Sequence, residues 1–423
     1  MSATFADFVN RSCRLTIKAF RYDTLKLIPE GIMNRSIKLA GLATGVSVAA
    51  VVAGALVAAQ QTPTLAAASG GVIPIDSVSS PAPTSSTTPS RPPGTPPTAP
   101  SGPVKLTLDL TKLKQGAAPT TAYVADRTVR SGQIEFTLPA SDGPVWDVAR
   151  AGTGGALVLH SPKDDGRAVL TTWSGGSRGE TVNDVSSVRS AADHSTSAYA
   201  VQPTTADGTE LPRFTLTWRD DASGEKMSLQ RSGEHGPIVH AVQGSEVYFS
   251  ALSKTSKQTL YRWTAGDAAP RPISAAPTPS AVSSDLVLAA SIVSQADDGS
   301  CTALVELASA KKRWQTCDYA VDELRSGSDF ALGGPAYRDG YGDGLFAALD
   351  LKTGKAVREW SGGSAVAIIS TVMEDDDHVL VLAEQGGKTA IARCAPKTGT
   401  CELAAPLKKG TGDENNRPYQ LGH

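Results

Sequence analysis

The feature that most constrains this chain is a strand-like segment that repeats. Residues 258–267 form an alternating strand running into a turn, and the segments 168–173 and 213–218 end in the same place, so Trp173, Trp218 and Trp263 stand 45 residues apart. Weaker copies follow at nearly the same step over 304–307, 346–351 and 390–394. Alternation marks strands, because successive side chains of a strand leave by opposite faces. Six such units at this spacing predict the blades of a β-propeller.

One unit reads strand by strand. Residues 238–242 form the inner strand, 246–252 the second, 258–265 the third and 271–274 the outer one, with turns at Gln243-Gly244-Ser245 and Gly266-Asp267-Ala268. In the last unit, 378–384 and 388–394 are the second and third strands. The folded part spans 104–406, and at this period it holds about seven blades. The expected fold class is therefore all-β: a seven-bladed β-propeller preceded by a single apolar helix, transmembrane or signal, and a disordered linker. The polar tail 407–423 is expected to be disordered.

Composition agrees with many short strands and tight turns, since aromatic residues make up only 5% of the 423. The formal net charge of -2 supplies no field that would hold a polyanion, which excludes nucleic acid as a partner.

Residues 1–38 form a short basic tail with Arg11, Arg14, Lys18, Arg21, Lys26, Arg35 and Lys38 against Asp7, Asp23 and Glu30. Residues 39–59 carry no charge, and Arg91 is the sole charged cation in the forty residues that follow. That asymmetry predicts an N-inside orientation, with the membrane engaged through 39–59. Two readings stay open. From Met1 the segment is an anchor behind a cytoplasmic tail; from Met33 it is the core of a signal peptide cleaved after 57–59 or 66–68. No cysteine follows the apolar run, which argues against a lipoprotein anchor. Residues 60–103, rich in Pro, Ser and Thr, read as an extended stalk. The expected location is the cell membrane with an extracytoplasmic C-terminal domain, or the exterior if the signal is removed.

Four of the five cysteines bracket predicted hairpins. Cys394 and Cys401 face each other across a turn at 397–399, and Cys301 and Cys317 flank one near 309–311. Cross-strand positions lie close enough to bridge, so both pairs are expected as disulfides in an exported chain.

Several strings imitate catalytic motifs. Gly175-Gly176-Ser177-Arg178-Gly179 matches G-x-S-x-G, but no helical pattern follows, so it reads as a blade turn. Asp193-His194-Ser195 places three catalytic residue types side by side, where strand neighbours point to opposite faces. His160, His194, His235, His240, His378 and His423 show no zinc-protease spacing and read as surface or loop residues. The run Glu374-Asp375-Asp376-Asp377 reads as a solvated turn, with a calcium site as the competing reading. No catalytic residue is assigned, and enzymatic activity is left open.

The blade frame places Asp-Gly pairs on loops from second to third strands, which all leave one face of the ring. Asp164, Asp165, Asp207, Asp297, Asp298, Asp339 and Asp343 make this an acidic face and the candidate ligand or cation site. The competing reading is that Asp-Gly is simply tight-turn chemistry. Apart from that calcium reading, no cofactor is expected.

Tyr123-Val124-Ala125-Asp126, Thr128-Val129 and residues 134–139 resemble the opening blade of exported actinobacterial β-propellers described as TolB-like or WD40-like, and the resemblance covers about the last three quarters of the chain. It implies fold, not chemistry. Residues 348–355 also resemble a quinoprotein-type hairpin, but the pattern occurs once in full, with Trp360 displaced and an echo at Thr398-Gly399, so no quinone cofactor is implied. The Gly-His and Trp-Asp pairs of WD40 repeats are missing; Trp146-Asp147 falls in an inner strand. The expected function is binding, to a cell-envelope protein or polysaccharide through the loops of one face. The alternative is an envelope glycan hydrolase or lyase, which needs two carboxylates converging at the propeller mouth.

Overall fold

The computed structural model describes residues 102–161, 167–297, 299–338, 342–410 and 417–422. The basic tail, the apolar segment 39–59 and nearly all of the 60–103 stalk lie outside the described residues, as do Asp164, Asp165, Asp298, Asp339 and His423. Among the described residues no helix is long and apolar enough to cross a membrane.

Strands β1 to β29, numbered in chain order among the described residues, form seven sheets. Blade 4 is the predicted unit: β13 (Glu234–Gln243), β14 (Glu246–Ser253), β15 (Gln258–Thr264) and β16 (Arg271–Ile273) pair antiparallel in that order. Blades 2, 3, 5, 6 and 7 repeat the plan and begin at inner strands β5 (Val145–Ala151), β9 (Val185–Ser190), β17 (Pro279–Val282), β21 (Tyr319–Glu323) and β25 (Val366–Met373). Blade 6 gains a fifth strand: β1 (Val104–Thr107) pairs parallel with β24 (Ala356–Ser361). Neighbours in sequence are neighbours in the ring.

The expectation for 407–423 needs correction. Strand β28 (Cys401–Lys409) runs past 406, and β29 (Tyr419–Leu421) pairs with β2 (Tyr123–Ala125) as the inner strand of blade 1. Tyr419 and Leu421 are 4% and 1% exposed, with Gln420 between them half-buried. Three alternating residues in a polar stretch are too short a pattern to stand out, yet blade 1 has no inner strand without them.

The 45-residue repeat marks the third strands, and tryptophans of third and fourth strands join blades. Trp173 stacks on Phe136 of blade 1 with ring centroids 4.8 Å apart. Indole N–H groups donate to carbonyls of the next blade: Trp218 to Gly244 at 2.7 Å, Trp314 to Leu351 at 2.9 Å and Trp360 to Gly399 at 3.4 Å. Each buries a large apolar body and satisfies its one polar atom. The core is accordingly spread between blades in several clusters rather than gathered at one centre.

Both disulfides are formed, Cys301 to Cys317 and Cys394 to Cys401, the latter as a cross-strand pair of β27 (Lys388–Cys394) and β28.

Candidate functional site

The inner strands share a device that periodicity does not reveal. In blades 2 to 7 each inner strand carries a bulge against its neighbour. The extra residues are Trp146, Ser186, His240, Ser280, Asp322 and Ile369, and all six are at least partly exposed. A bulge re-aims a side chain, and repeated around a ring it turns one residue per blade out of the core toward the axis.

Near these bulges, the inner strands bring Arg189 within electrostatic reach of two carboxylates, Asp147 and Glu323. Asp147 stands on β5, Arg189 on β9 and Glu323 at the end of β21. Blades 3 and 6 lie on opposite sides of a seven-membered ring, so Arg189 and Glu323 address each other over the axis. Arg189 is half-buried, and desolvation pulls its pKa down against the attraction of Asp147 and Glu323. No hydrogen bond or ion pair among the described residues engages its guanidinium.

Glu323 is the counterpart. Desolvation raises its carboxyl to about 7, while the Met373 N–H, Arg189 and Arg325 act in the opposite direction. Its Oε2 accepts from Met373 N at 2.9 Å, and Oε1 has no partner among the described residues. Arg325, just beyond β21, is braced: Nε donates to Asp376 at 3.2 Å and Nη1 to the carbonyls of Glu374 and Met373 at 3.3 and 3.4 Å. His194, on the first turn of blade 3, has its pKa lowered mainly by desolvation and further by the charges of Arg150 and Arg325. Arg150, Arg189, His194 and Arg325 thus gather at the mouth where the loops from first to second strands emerge.

Of the acidic-face residues, Asp207, Asp297 and Asp343 lie on loops from second to third strands, in blades 3, 5 and 6. Asp207 accepts from the Thr205 hydroxyl of its own turn, where Gly208 takes φ +87°. Asp343 pairs with Arg338 at 3.5 Å, and burial raises its carboxyl to about 6. Asp297 is exposed. Among the described residues no three His, Cys, Asp or Glu side chains are gathered as a metal would need.

The motif-like strings are absorbed by structure. Gly175-Gly176 is the two-residue turn between β7 (Val169–Ser174) and β8 (Ser177–Asn183), both glycines at positive φ. Asp193 takes the N–H and hydroxyl of Ser195. In the run 374–377 each carboxylate has its own partner: Glu374 with Arg393, Asp375 with His378, Asp376 with Arg325 and Asp377 with Lys397. Glu374 is 5% exposed, so one member of the supposed solvated turn is buried. His160 is likewise no surface residue: it is 1% exposed, with Nδ1 2.7 Å from the Asp142 carbonyl and Nε2 2.9 Å from the Thr171 hydroxyl. His240 lies in strand β13, beside Ser250 at 2.8 Å. His160 differs from the surface-or-loop expectation because a buried imidazole with two polar neighbours satisfies its hydrogen bonds in a core, and His240 because the bulge of β13 sets it in a strand.

Comparison with known proteins finds no matching family model and no matching curated relative. Solved structures do match. An uncharacterised protein from Listeria monocytogenes EGD-e aligns at 11% identity and TM-score 0.43, over 63% of this chain and 84% of that one. The β-propeller domain of the Trilobed protease from Pyrococcus furiosus aligns at 8% and 0.42, over 62% and 84%. TolB from Acinetobacter baumannii aligns at 10% and 0.37, over 68% and 65%. The assignment of seven blades rests on the strand pairing described above.

Proposed function

We propose that this chain is an extracytoplasmic binding module that recognises an envelope polymer or protein partner over one mouth of the ring, with 39–59 as its membrane segment or signal. The observation that carries the reading is the pair Arg189 and Glu323 on the inner strands: both are half-buried, the Arg189 guanidinium and the Glu323 Oε1 have no hydrogen-bond partner among the described residues, and only the Glu323 Oε2 is bonded, by the Met373 N–H. Burying a charge without a partner is costly, and such sites persist where a ligand completes them. The two disulfides support an oxidising compartment. The Asp-Gly face is a second contact surface in the same proposal, with calcium as a possible companion.

The test is retention of the full-length chain by peptidoglycan, envelope polysaccharide or membrane-protein fractions, with and without chelator. Retention by one fraction supports the module and names its ligand class; loss under chelator assigns a role to the Asp-Gly face. No retention by any fraction overturns the reading.

A second reading has one observation in its favour. Asp147 and Glu323 both address the space around Arg189, and a carboxyl near pH 7 is poised for proton transfer. Release of reducing ends from an envelope glycan, lost in Glu323→Gln, would establish a hydrolase.

A further inference from the structure

The binding reading leaves the chemistry of the ligand unstated, and the channel mouth specifies it. Arg189 offers a planar fork of N–H donors with no acceptor among the described residues. Glu323, electrostatically coupled to it, is fixed through Oε2 by the Met373 N–H, and its Oε1 has no hydrogen-bond partner among the described residues. Arginine and carboxylate match as fork to fork, a geometry that a neutral hydroxyl does not fill and that a point cation cannot supply. Arg325, held in place by Asp376 and two carbonyls, and Arg150 add positive field at the rim.

We infer that this mouth of the channel is a receptor for a carboxylate group, gripped by the unpartnered Arg189 guanidinium beside the Glu323 side chain that the Met373 N–H holds in place. The inference deepens the binding-module reading and rests on it.

The groups around Glu323 fix the sign of a pH effect. Arg189 faces it from β9 and Asp147 stands beyond on β5; Asp322, next to it, is paired with Arg338; Arg325 follows on the same loop, paired with Asp376; β25 contributes only the Met373 N–H. His194 stands at the rim, its pKa lowered by desolvation and by Arg150 and Arg325. With Glu323 protonated, Arg189 has one uncompensated side, and an arriving carboxylate finds both a cation and a donor. With Glu323 ionised the same carboxylate meets a like charge and no donor. Binding therefore takes up a proton near pH 7, and affinity falls as pH rises through that value.

The experiment is calorimetric titration of the full chain with tartrate, fully ionised above pH 6, in two buffers of different ionisation enthalpy. Glucose serves as the neutral probe and inorganic phosphate, compared at pH 6, as the tetrahedral one. The expected result is tartrate binding with proton uptake, weakening about tenfold per pH unit above 7. Arg189→Gln is expected to weaken it at least about tenfold, with Arg189→Lys intermediate. Glu323→Gln, which keeps a donor, is expected to bind with no proton uptake and a flat pH profile.

The inference is overturned by tartrate binding that ignores Arg189→Gln in a folded variant, by absence of proton uptake in the wild type, by no binding, or by equal affinity for glucose. Phosphate bound more tightly than tartrate reassigns the receptor to phosphate-bearing ligands and overturns the carboxylate assignment. Retention by an envelope fraction that survives Arg189→Gln leaves the module standing and this inference refuted; tartrate binding without any retention does the reverse.

Discussion

Arg393 and Glu374 meet in a two-point ion pair, Nε to Oε2 at 2.5 Å and Nη2 to Oε1 at 2.8 Å, and together they fasten a piece of chain that belongs to another blade. The same guanidinium donates to the carbonyls of Ala117 and Ala118, and Glu374 accepts the Thr120 N–H at 2.6 Å. Burial alone would raise Glu374, but the arginine fork and that N–H hold its carboxyl below the usual range. The segment entering blade 1 is thereby locked to blade 7.

Removing one partner leaves a buried charge alone. Arg393→Ala is expected to cost about 3–5 kcal/mol, measured by urea unfolding of the full chain, with Glu374→Ala similar and the double variant less than additive.

Trp360 stacks on Phe346 at 4.7 Å with rings nearly parallel and is 1% exposed. Truncation to alanine opens a cavity between blades 6 and 7. The expected loss is about 3–5 kcal/mol, with Trp360→Phe recovering a good part of it in the same unfolding assay.

Gly354 turns at φ +72°, and a Cβ there would lie 2.6 Å from the indole of Trp314 in the preceding blade. Gly354→Ala thus combines left-handed strain with a clash against a packed ring, for an expected loss of roughly 1–3 kcal/mol. A lowered midpoint of thermal unfolding checks this, and Gly386→Ala, at positive φ but in open space, is the milder control.

Glu323 supplies a pH prediction with a defined sign. Its carboxyl titrates at about 7 in the folded chain against the ordinary 4.5, so between those values the folded state holds a proton that the unfolded state has released. Stability falls as pH rises through that window and levels off above it. Glu323→Gln removes this contribution and is expected to be more stable than wild type at pH 8 by on the order of 1–2 kcal/mol, with no gain at pH 4. Unfolding midpoints across pH 4–8 read it directly.

Period-2 strands closed by tryptophan were visible because the residue that bolts neighbouring blades together must recur once per blade. Strand pairs that flank a tight turn were equally visible, as Cys394 and Cys401 show. The channel was not. Asp147, Arg189 and Glu323 come one from each of three blades, and each is aimed by backbone geometry rather than by a local motif. A bulge inserts a single residue and breaks the alternation from which a face is read, so Trp146 or Ile369 looks like any other strand position. The acidic loops drew attention because Asp-Gly is conspicuous, but Asp207 spends its oxygens on its own turn. The carboxylate run 374–377 looked like one feature and is four separate attachments.

The pairing of Tyr123 with Leu421 joins positions almost the whole ring apart. Until β29 arrives, six blades can be complete while the first still presents β2 as an open inner edge, a template for any passing strand. Assembly of this protein is therefore governed by its final few described residues: closure is the slowest contact to find, and the interval before it is when the chain is most exposed to pairing with a second copy of itself.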